Sequence, residues 1–82
     1  MITFKDIEPS ILDQTVIFLA EVNGNTVVCK ATYEFLEDIN PATKHYPPLD
    51  RLRMNRSKIY NMMEQKLLKK QDPILTTTDL KK

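Results

Sequence analysis

The sequence predicts an α+β fold: a small, mostly antiparallel sheet of three to four strands, in the order β-β-β-α-α-β, with two helices packed on one face to make two layers. Three observations carry this expectation. A β-branched and aromatic run from Gln14 to Val22 is joined to a second run, Asn25 to Ala31, by Asn23-Gly24, the dipeptide of a two-residue hairpin turn. Apolar residues recur at helical spacing from Leu49 to Lys70. A threonine-rich, alternating segment, Ile74 to Leu80, follows the helix-stopping Asp72-Pro73.

Taken in order, Ile2-Thr3-Phe4 alternates apolar and polar and reads as a short strand. Residues 5–13 are acidic, contain Pro9 and read as a loop. The hairpin, about 14–31, has one register that satisfies both turn and pattern: Val22 faces Asn25, Ala20 faces Val27, Phe18 faces Cys29 and Val16 faces Ala31. One face is then apolar: Val16, Phe18, Ala20, Val22, Val27, Cys29 and Ala31. The other carries Glu21 beside Thr26 and Ile17 beside Lys30, with Leu19 and Val28 between them. A slip of one residue would turn the apolar set to water.

Thr32 is placed to cap a short helix, about 33–39, with Glu34 in its first turn and Phe35, Leu36 and Ile39 as its apolar stripe. Asn40-Pro41 ends it, because the residue before proline is pushed out of the helical region. A linker, 40–48, holds Pro41, Pro47 and Pro48 with His45 and Tyr46. The long helix, about 49–70, aligns Leu49, Leu52, Ile59, Met63 and Leu67 on one face and gathers Lys66, Lys69 and Lys70 in its last turns. The final strand is placed at about 74–80, and Lys81-Lys82 reads as a frayed end.

Eighty-two residues make one domain, 1–82. Apolar residues at 41% and charged residues at 28% exclude a disordered chain. One cysteine excludes an intramolecular disulfide, and no apolar run approaches a membrane span or the pattern of a signal peptide. A cytoplasmic location with no membrane partner is therefore expected. The net charge of +1 is unevenly spread: residues 1–39 have only Lys5 and Lys30 as bases, whereas ten of the twelve basic residues follow. Such halves either attract each other within the fold or present a basic surface to an acidic partner.

The candidates for chemistry are few. A single glycine excludes a glycine-rich phosphate loop, and one cysteine with one histidine cannot supply a usual metal set. Cys29 falls on the apolar hairpin face, where a thiol acts as a small hydrophobe. No cofactor, no metal and no catalytic residue is expected, and so no enzyme. Arg56 is out of pattern, landing in the apolar stripe between Leu52 and Ile59. It reads either as an arginine tied to an internal carboxylate, Asp79 or Asp38, or as the anchor of a site with Asn55 beside it. Met54 and Leu68 point outward and offer a helix-to-helix dimer contact, and Arg51, Lys58 and Lys69 form a basic flank. The expected function is a non-catalytic protein-interaction or regulatory module whose partner is a protein, a second copy in a homodimer included. The alternative is a nucleic-acid-associated regulator using the basic flank. The long basic helix, rather than the hairpin, is expected to carry either role.

Three stretches resemble a known family. Val28-Cys29-Lys30-Ala31-Thr32-Tyr33-Glu34-Phe35-Leu36 resembles the strand-into-capped-helix segment of the small bacterial family known as domain of unknown function 1488. Leu52-Arg53-Met54-Asn55-Arg56-Ser57-Lys58-Ile59 looks like its Asn-Arg helix motif, and Ile74-Leu75-Thr76-Thr77-Thr78-Asp79-Leu80 is similar to its closing strand. The chain departs from the pattern at Leu52, where the family usually has an aromatic, at Met62 and Met63, which replace small residues, and around His45. The resemblance implies a small cytosolic α+β protein of unestablished role, and it marks Asn55, Arg56 and Asp79, with an Arg56–Asp79 bridge from helix to last strand.

Overall fold

The computed structural model describes residues 1–6 and 8–80; Ile7, within the expected loop, and the Lys81-Lys82 end lie outside the described residues. Five strands, β1 (Ile2–Phe4), β2 (Ser10–Leu12), β3 (Thr15–Val22), β4 (Asn25–Thr32) and β5 (Ile74–Leu75), form one mixed sheet. Three helices, α1 (Tyr33–Ile39), α2 (Pro48–Met54) and α3 (Arg56–Leu68), lie between β4 and β5 in the chain.

The β3–β4 hairpin has the register its sequence demands. Val22 pairs with Asn25, Ala20 with Val27, Phe18 with Cys29 and Val16 with Ala31. Asn23 and Gly24 adopt φ of 52° and 87°, the positive values that a type I′ turn needs and that glycine takes without strain. Thr32 then caps α1, its Oγ1 accepting from the Phe35 amide at 3.1 Å. Val16, Phe18, Ala20, Cys29 and Ala31 meet Phe35, Leu36 and Ile39 of α1, Leu52 of α2, Ile59 and Met63 of α3, and Leu75 in one buried cluster. All three helices therefore cover the same face of the sheet.

Three elements differ from expectation. The acidic segment before β3 contains a strand, because Asp13 and Gln14 take φ of 50° and 57° and make a second tight turn without glycine. The Thr15 hydroxyl donates to the Leu12 carbonyl across it, and β2 pairs with the first half of β3, from Ser10 opposite Ile17 to Leu12 opposite Thr15. Since β1 pairs with the second half, Ala20 to Val22, one edge of the sheet is a strand in two pieces. β1 ends opposite Ala20 and β2 begins opposite Ile17, so Phe18 and Leu19 separate the two pairings on β3, and the Lys5 amide donates to the Leu19 carbonyl at 2.9 Å.

The long helix is two helices. Asn55, at φ −112° and ψ 19°, ends α2 and precedes α3. Hydrogen bonding runs through the bend, the Asn55 amide donating to the Arg51 carbonyl (3.1 Å) and the Ile59 amide to the Asn55 carbonyl (3.0 Å). At the far end α3 stops at Leu68, where Lys70 turns to φ 57° and the Gln71 amide closes on the Lys66 carbonyl at 3.0 Å, a Schellman-type cap built without glycine.

The closing strand is the third difference. β5 has two residues only, and it runs parallel to β4, with Ile74 beside Lys30 and Leu75 beside Ala31. The helices between β4 and β5 return the chain in the same direction, as a parallel pairing requires. Thr77–Leu80 then coils into a 3₁₀ turn. Its cause is Asp79, whose carboxylate accepts from the Thr76 amide at 2.8 Å and pairs with Lys66 Nζ at 3.0 Å. Local capture of the backbone by a side-chain acceptor overrides the β propensity of three threonines. Because the Lys66 and Asp79 side chains are only 16% and 12% exposed, Asp79→Ala is expected to cost about 1–3 kcal/mol by stranding a half-buried ammonium and an amide. Thermal unfolding measures this, with Asp79→Asn falling between the wild type and Ala.

Candidate functional site

The helix motif resolves into a structural residue and a surface one. Asn55, not Arg56, takes the inward position between Leu52 and Ile59. Its Nδ2 donates to Thr43 Oγ1 (3.2 Å) and to the Arg51 carbonyl (2.8 Å), and its Oδ1 accepts from Asn40 Nδ2 (3.2 Å). Asn40 in turn accepts from the Ala42 amide at 3.2 Å, and the Thr43 hydroxyl donates to the Asn40 carbonyl at 2.8 Å. This closed network pins the 3₁₀ turn Pro41–Thr43 to the bend between α2 and α3.

Arg56 is exposed, and the expected Arg56–Asp79 bridge is not formed. Asp79 is engaged by Lys66 and Thr76 at the far end of α3, about 15 Å along the axis from Arg56 at 1.5 Å per residue. Arg56 lies instead beside the Tyr60 hydroxyl. The arginine held by an internal acceptor is Arg51: its side chain is 12% exposed, one guanidinium nitrogen donates to the Lys44 carbonyl, and another lies 3.9 Å from Glu37. That burial removes Arg51 from the basic flank and leaves Lys58 and Lys69 exposed there. Met54 and Leu68 are 53% and 62% exposed but belong to different helices, one on each side of the Asn55 bend.

Two further places hold reactive groups. Cys29 is fully buried, and loss of solvent pushes its thiol up to about 11, so it is not a thiolate at neutral pH. Tyr60 stacks on Phe4 with ring centres 4.1 Å apart and lies 5.5 Å from Phe18. Burial raises its hydroxyl above the ordinary value, Arg56 offsets part of that by charge and hydrogen bonding, and Asp6 adds to it. The Phe4 and Tyr60 rings line an open groove of about 650 Å³, walled by Lys5, Asp6, Glu8, Arg53 and Arg56 where the edge strand is interrupted. Its charges are of both signs, and within the wall Arg53 pairs with Glu8. The groove presents no converging set of one sign.

The face of the sheet opposite the helices is a different surface. By strand alternation it carries Thr15, Ile17, Leu19 and Glu21 of β3 against Thr32, Lys30, Val28 and Thr26 of β4, pair by pair. Ile74 of β5 adjoins Lys30, and Leu12 of β2 adjoins Thr15. Leu19 and Val28 are thus side by side at the centre, flanked by Ile17 and Ile74, and no described helix covers them. Val28 is 48% exposed, Ile74 37% and Leu12 54%. Glu21 and Lys30 stand at opposite ends of this apolar band, and neither takes part in any ion pair among the described residues. Lys5 reaches across β3 from the edge, its Nζ donating to Thr26 Oγ1 of β4, beside Glu21, at 3.0 Å. Ile17, Leu19, Glu21, Thr26, Val28 and Lys30 were legible in the hairpin register, whereas Leu12 and Ile74 join them only through β2 and β5; what gives them meaning is that the helices of the described residues pack on the other side.

The family described as Protein of unknown function (DUF1488) matches residues 2–75, from β1 to the last residue of β5. The chain belongs to this family. The matched span includes Asn55, Arg56 and the whole exposed sheet face, and it stops short of Asp79. No curated protein and no solved structure matches the chain.

Asn55→Ala is expected to lower stability by about 1–3 kcal/mol, because Thr43 and Asn40 lose partners in a half-buried site. Arg56→Met is expected to stay within about 0.5 kcal/mol of the wild type, as exposed substitutions do; chemical denaturation separates the two. Cys29 also imposes a pH dependence. The unfolded thiol ionises from its ordinary 9.0, whereas the folded one holds its proton to about 11. Between those values the unfolded chain binds fewer protons, so stability is whole below pH 9 and falls by up to about 2–3 kcal/mol as pH rises through the window. Tyr60 acts in the same direction above pH 10. Denaturant titrations from pH 8 to 11 test this, with a shallower fall expected for Cys29→Ala.

Proposed function

We propose that the protein is a non-catalytic module of the cytoplasm that works by docking a protein partner on the uncovered face of its sheet. The observation that carries this reading is the contiguity of Ile17, Leu19, Val28 and Ile74 on a face that no described helix covers. A two-layer domain normally turns polar residues outward on such a face, and a contiguous apolar band there favours contact with another sheet. The threonines around the band suit the polar rim of a protein interface.

The lack of catalysis in this reading is supported by the state of the reactive groups. Cys29 is buried and protonated, and His45 lies in an exposed loop beside Tyr46, with ring centres 5.3 Å apart. Among the described residues no three His, Cys, Asp or Glu side chains gather as metal ligands. No helix among them is long and apolar enough to cross a membrane.

The test is affinity capture from the native cell extract, with and without nuclease, using wild type, Leu19→Glu/Val28→Glu and Lys58→Glu/Lys69→Glu, each shown to be folded by circular dichroism. The expected result is a protein retained by the wild type and by the lysine variant and lost from the sheet variant. Retention indifferent to Leu19 and Val28, or a nucleic acid held through Lys58 and Lys69, overturns the reading.

A further inference from the structure

We propose, resting on the docking reading above, that the partner is held by its backbone: an extended segment of another protein adds as a strand to the open edge of β4. It lies beside Thr26 and Val28, with a carboxylate next to Thr26 and an apolar side chain next to Val28. Val22 and Asn25 close a two-residue turn and exchange both of their hydrogen bonds. Alternation then points the amides and carbonyls of Val27 and Cys29 toward β3, and those of Thr26, Val28 and Lys30 away from it. Lys30 uses its outward amide on β5, donating to the Pro73 carbonyl at 2.9 Å. Carried back by two residues, the β4–β5 register sets Val28 against Asp72. The donor due to the Val28 carbonyl is then residue 73, a proline with no N–H. The outward groups of Thr26 and Val28 therefore have no backbone partner among the described residues, and both residues are exposed.

Native edges are ordinarily blunted by proline, charge or a bulge. The opposite edge is cut in two, with Pro9 between its pieces, whereas Asn25 to Cys29 has none of these devices and pairs with β3 without a break. An extended chain meets donors and acceptors that recur at every second residue of an edge. The β4 of a second copy does not suit. Laid antiparallel with Thr26 of each against Val28 of the other, it brings Gly24 opposite Lys30, the place that Ile74 occupies. A segment free of a tight turn fits there. Its side chains are set by the outer face. Lys5 Nζ lies 3.0 Å from Thr26 Oγ1 and Lys30 stands two residues beyond Val28, and neither takes part in an ion pair among the described residues. Glu21 is one strand further from the edge. The charges nearest an added strand are thus positive, and the Leu19–Val28 row continues into its apolar residue.

Amide spectra of the isotope-labelled protein test this during titration with the blocked peptide acetyl-Thr-Val-Thr-Glu-Thr-Val-Thr-amide, whose Glu and Val share one face in either strand direction. Concentrations up to about 1 mM reach the weak affinity of a short strand. Changes are expected to centre on Thr26, Val27 and Val28, with hydrogen exchange of the Thr26 and Val28 amides slowed several-fold. Thr26→Pro removes only the outward N–H, as an edge strand tolerates, and is expected to weaken binding by about tenfold or more, whereas Thr26→Ser keeps it. A peptide with Lys in place of Glu is expected to bind about tenfold less tightly, and Lys5→Met to narrow that difference. Should Thr26→Pro not fold, the exchange of the two amides in the wild type decides. No binding, changes centred away from β4, a folded Thr26→Pro that binds like the wild type, or a preference for the Lys peptide overturns the assignment. Slowed exchange of the same amides on raising the protein concentration alone gives the edge to a second copy and overturns it as well. The docking reading fails separately: a protein captured from the extract through Leu19 and Val28, yet retained by folded Thr26→Pro, leaves that reading standing and removes the added strand.

Discussion

The rest of the structure depends on the register of one hairpin. A type I′ turn at Asn23-Gly24 fixes Val22 against Asn25, and with a side-chain period of two that single pairing decides the face of every residue on β3 and β4. It sends Val16, Phe18, Ala20, Cys29 and Ala31 inward, where Phe35, Leu36, Ile59 and Met63 complete a core. The same pairing sends Ile17, Leu19 and Val28 outward. Core and exposed apolar band are two consequences of one constraint. A sequence change that moved the register would not trade one for the other; it would expose the core and bury Glu21 and Lys30.

The second organising feature is a polar one. Asn55 sits where a helical stripe calls for an apolar side chain, and it interrupts the helix instead of burying a charge. Its amide group satisfies the Thr43 hydroxyl, the Arg51 carbonyl and Asn40 together, which fixes how the proline-rich linker lies against the bend. The linker returns the favour through Lys44, whose carbonyl accepts from Arg51. Hydrogen bonds shared among Asn40, Thr43 and Asn55 specify one geometry, whereas removing any of the three leaves polar groups stranded. Arg56 owes its exposure to this arrangement rather than to its own chemistry.

How much of this the sequence disclosed follows from the range of each interaction. The hairpin, the Thr32 cap and α1 rest on neighbours in the chain, and they were legible. The Asp13-Gln14 turn was not, because neither residue is the glycine that normally marks a positive φ. The Asn55 break was hidden because backbone hydrogen bonds continue through it and Leu52 and Ile59 still share a face. The end of β5 is set by Asp79 accepting from the Thr76 amide, a local capture masked by the β propensity of three threonines, and by its pairing with Lys66 of α3. Exchanging Arg56 for Arg51 as the tethered arginine has the same origin, since the Lys44 carbonyl is brought to Arg51 only by the folded linker. The outer residues of the hairpin were read correctly, but a residue pattern does not say on which side of a sheet the helices will pack all together.

The interrupted edge strand adds something separate. β1 ends at Phe4 opposite Ala20 and β2 begins at Ser10 opposite Ile17, so five residues of chain join pairings that only two residues of β3 separate. β1 is pinned beyond this excursion by its pairs with Ala20 to Val22, and β2 by its own tight turn at Asp13-Gln14. Neither anchor depends on the length between them, and loop closure grows costly only slowly with added residues. The excursion is accordingly the place in the sheet where the protein can lengthen or shorten without shifting any strand. It offers room to graft a reporter peptide while the exposed face keeps its shape.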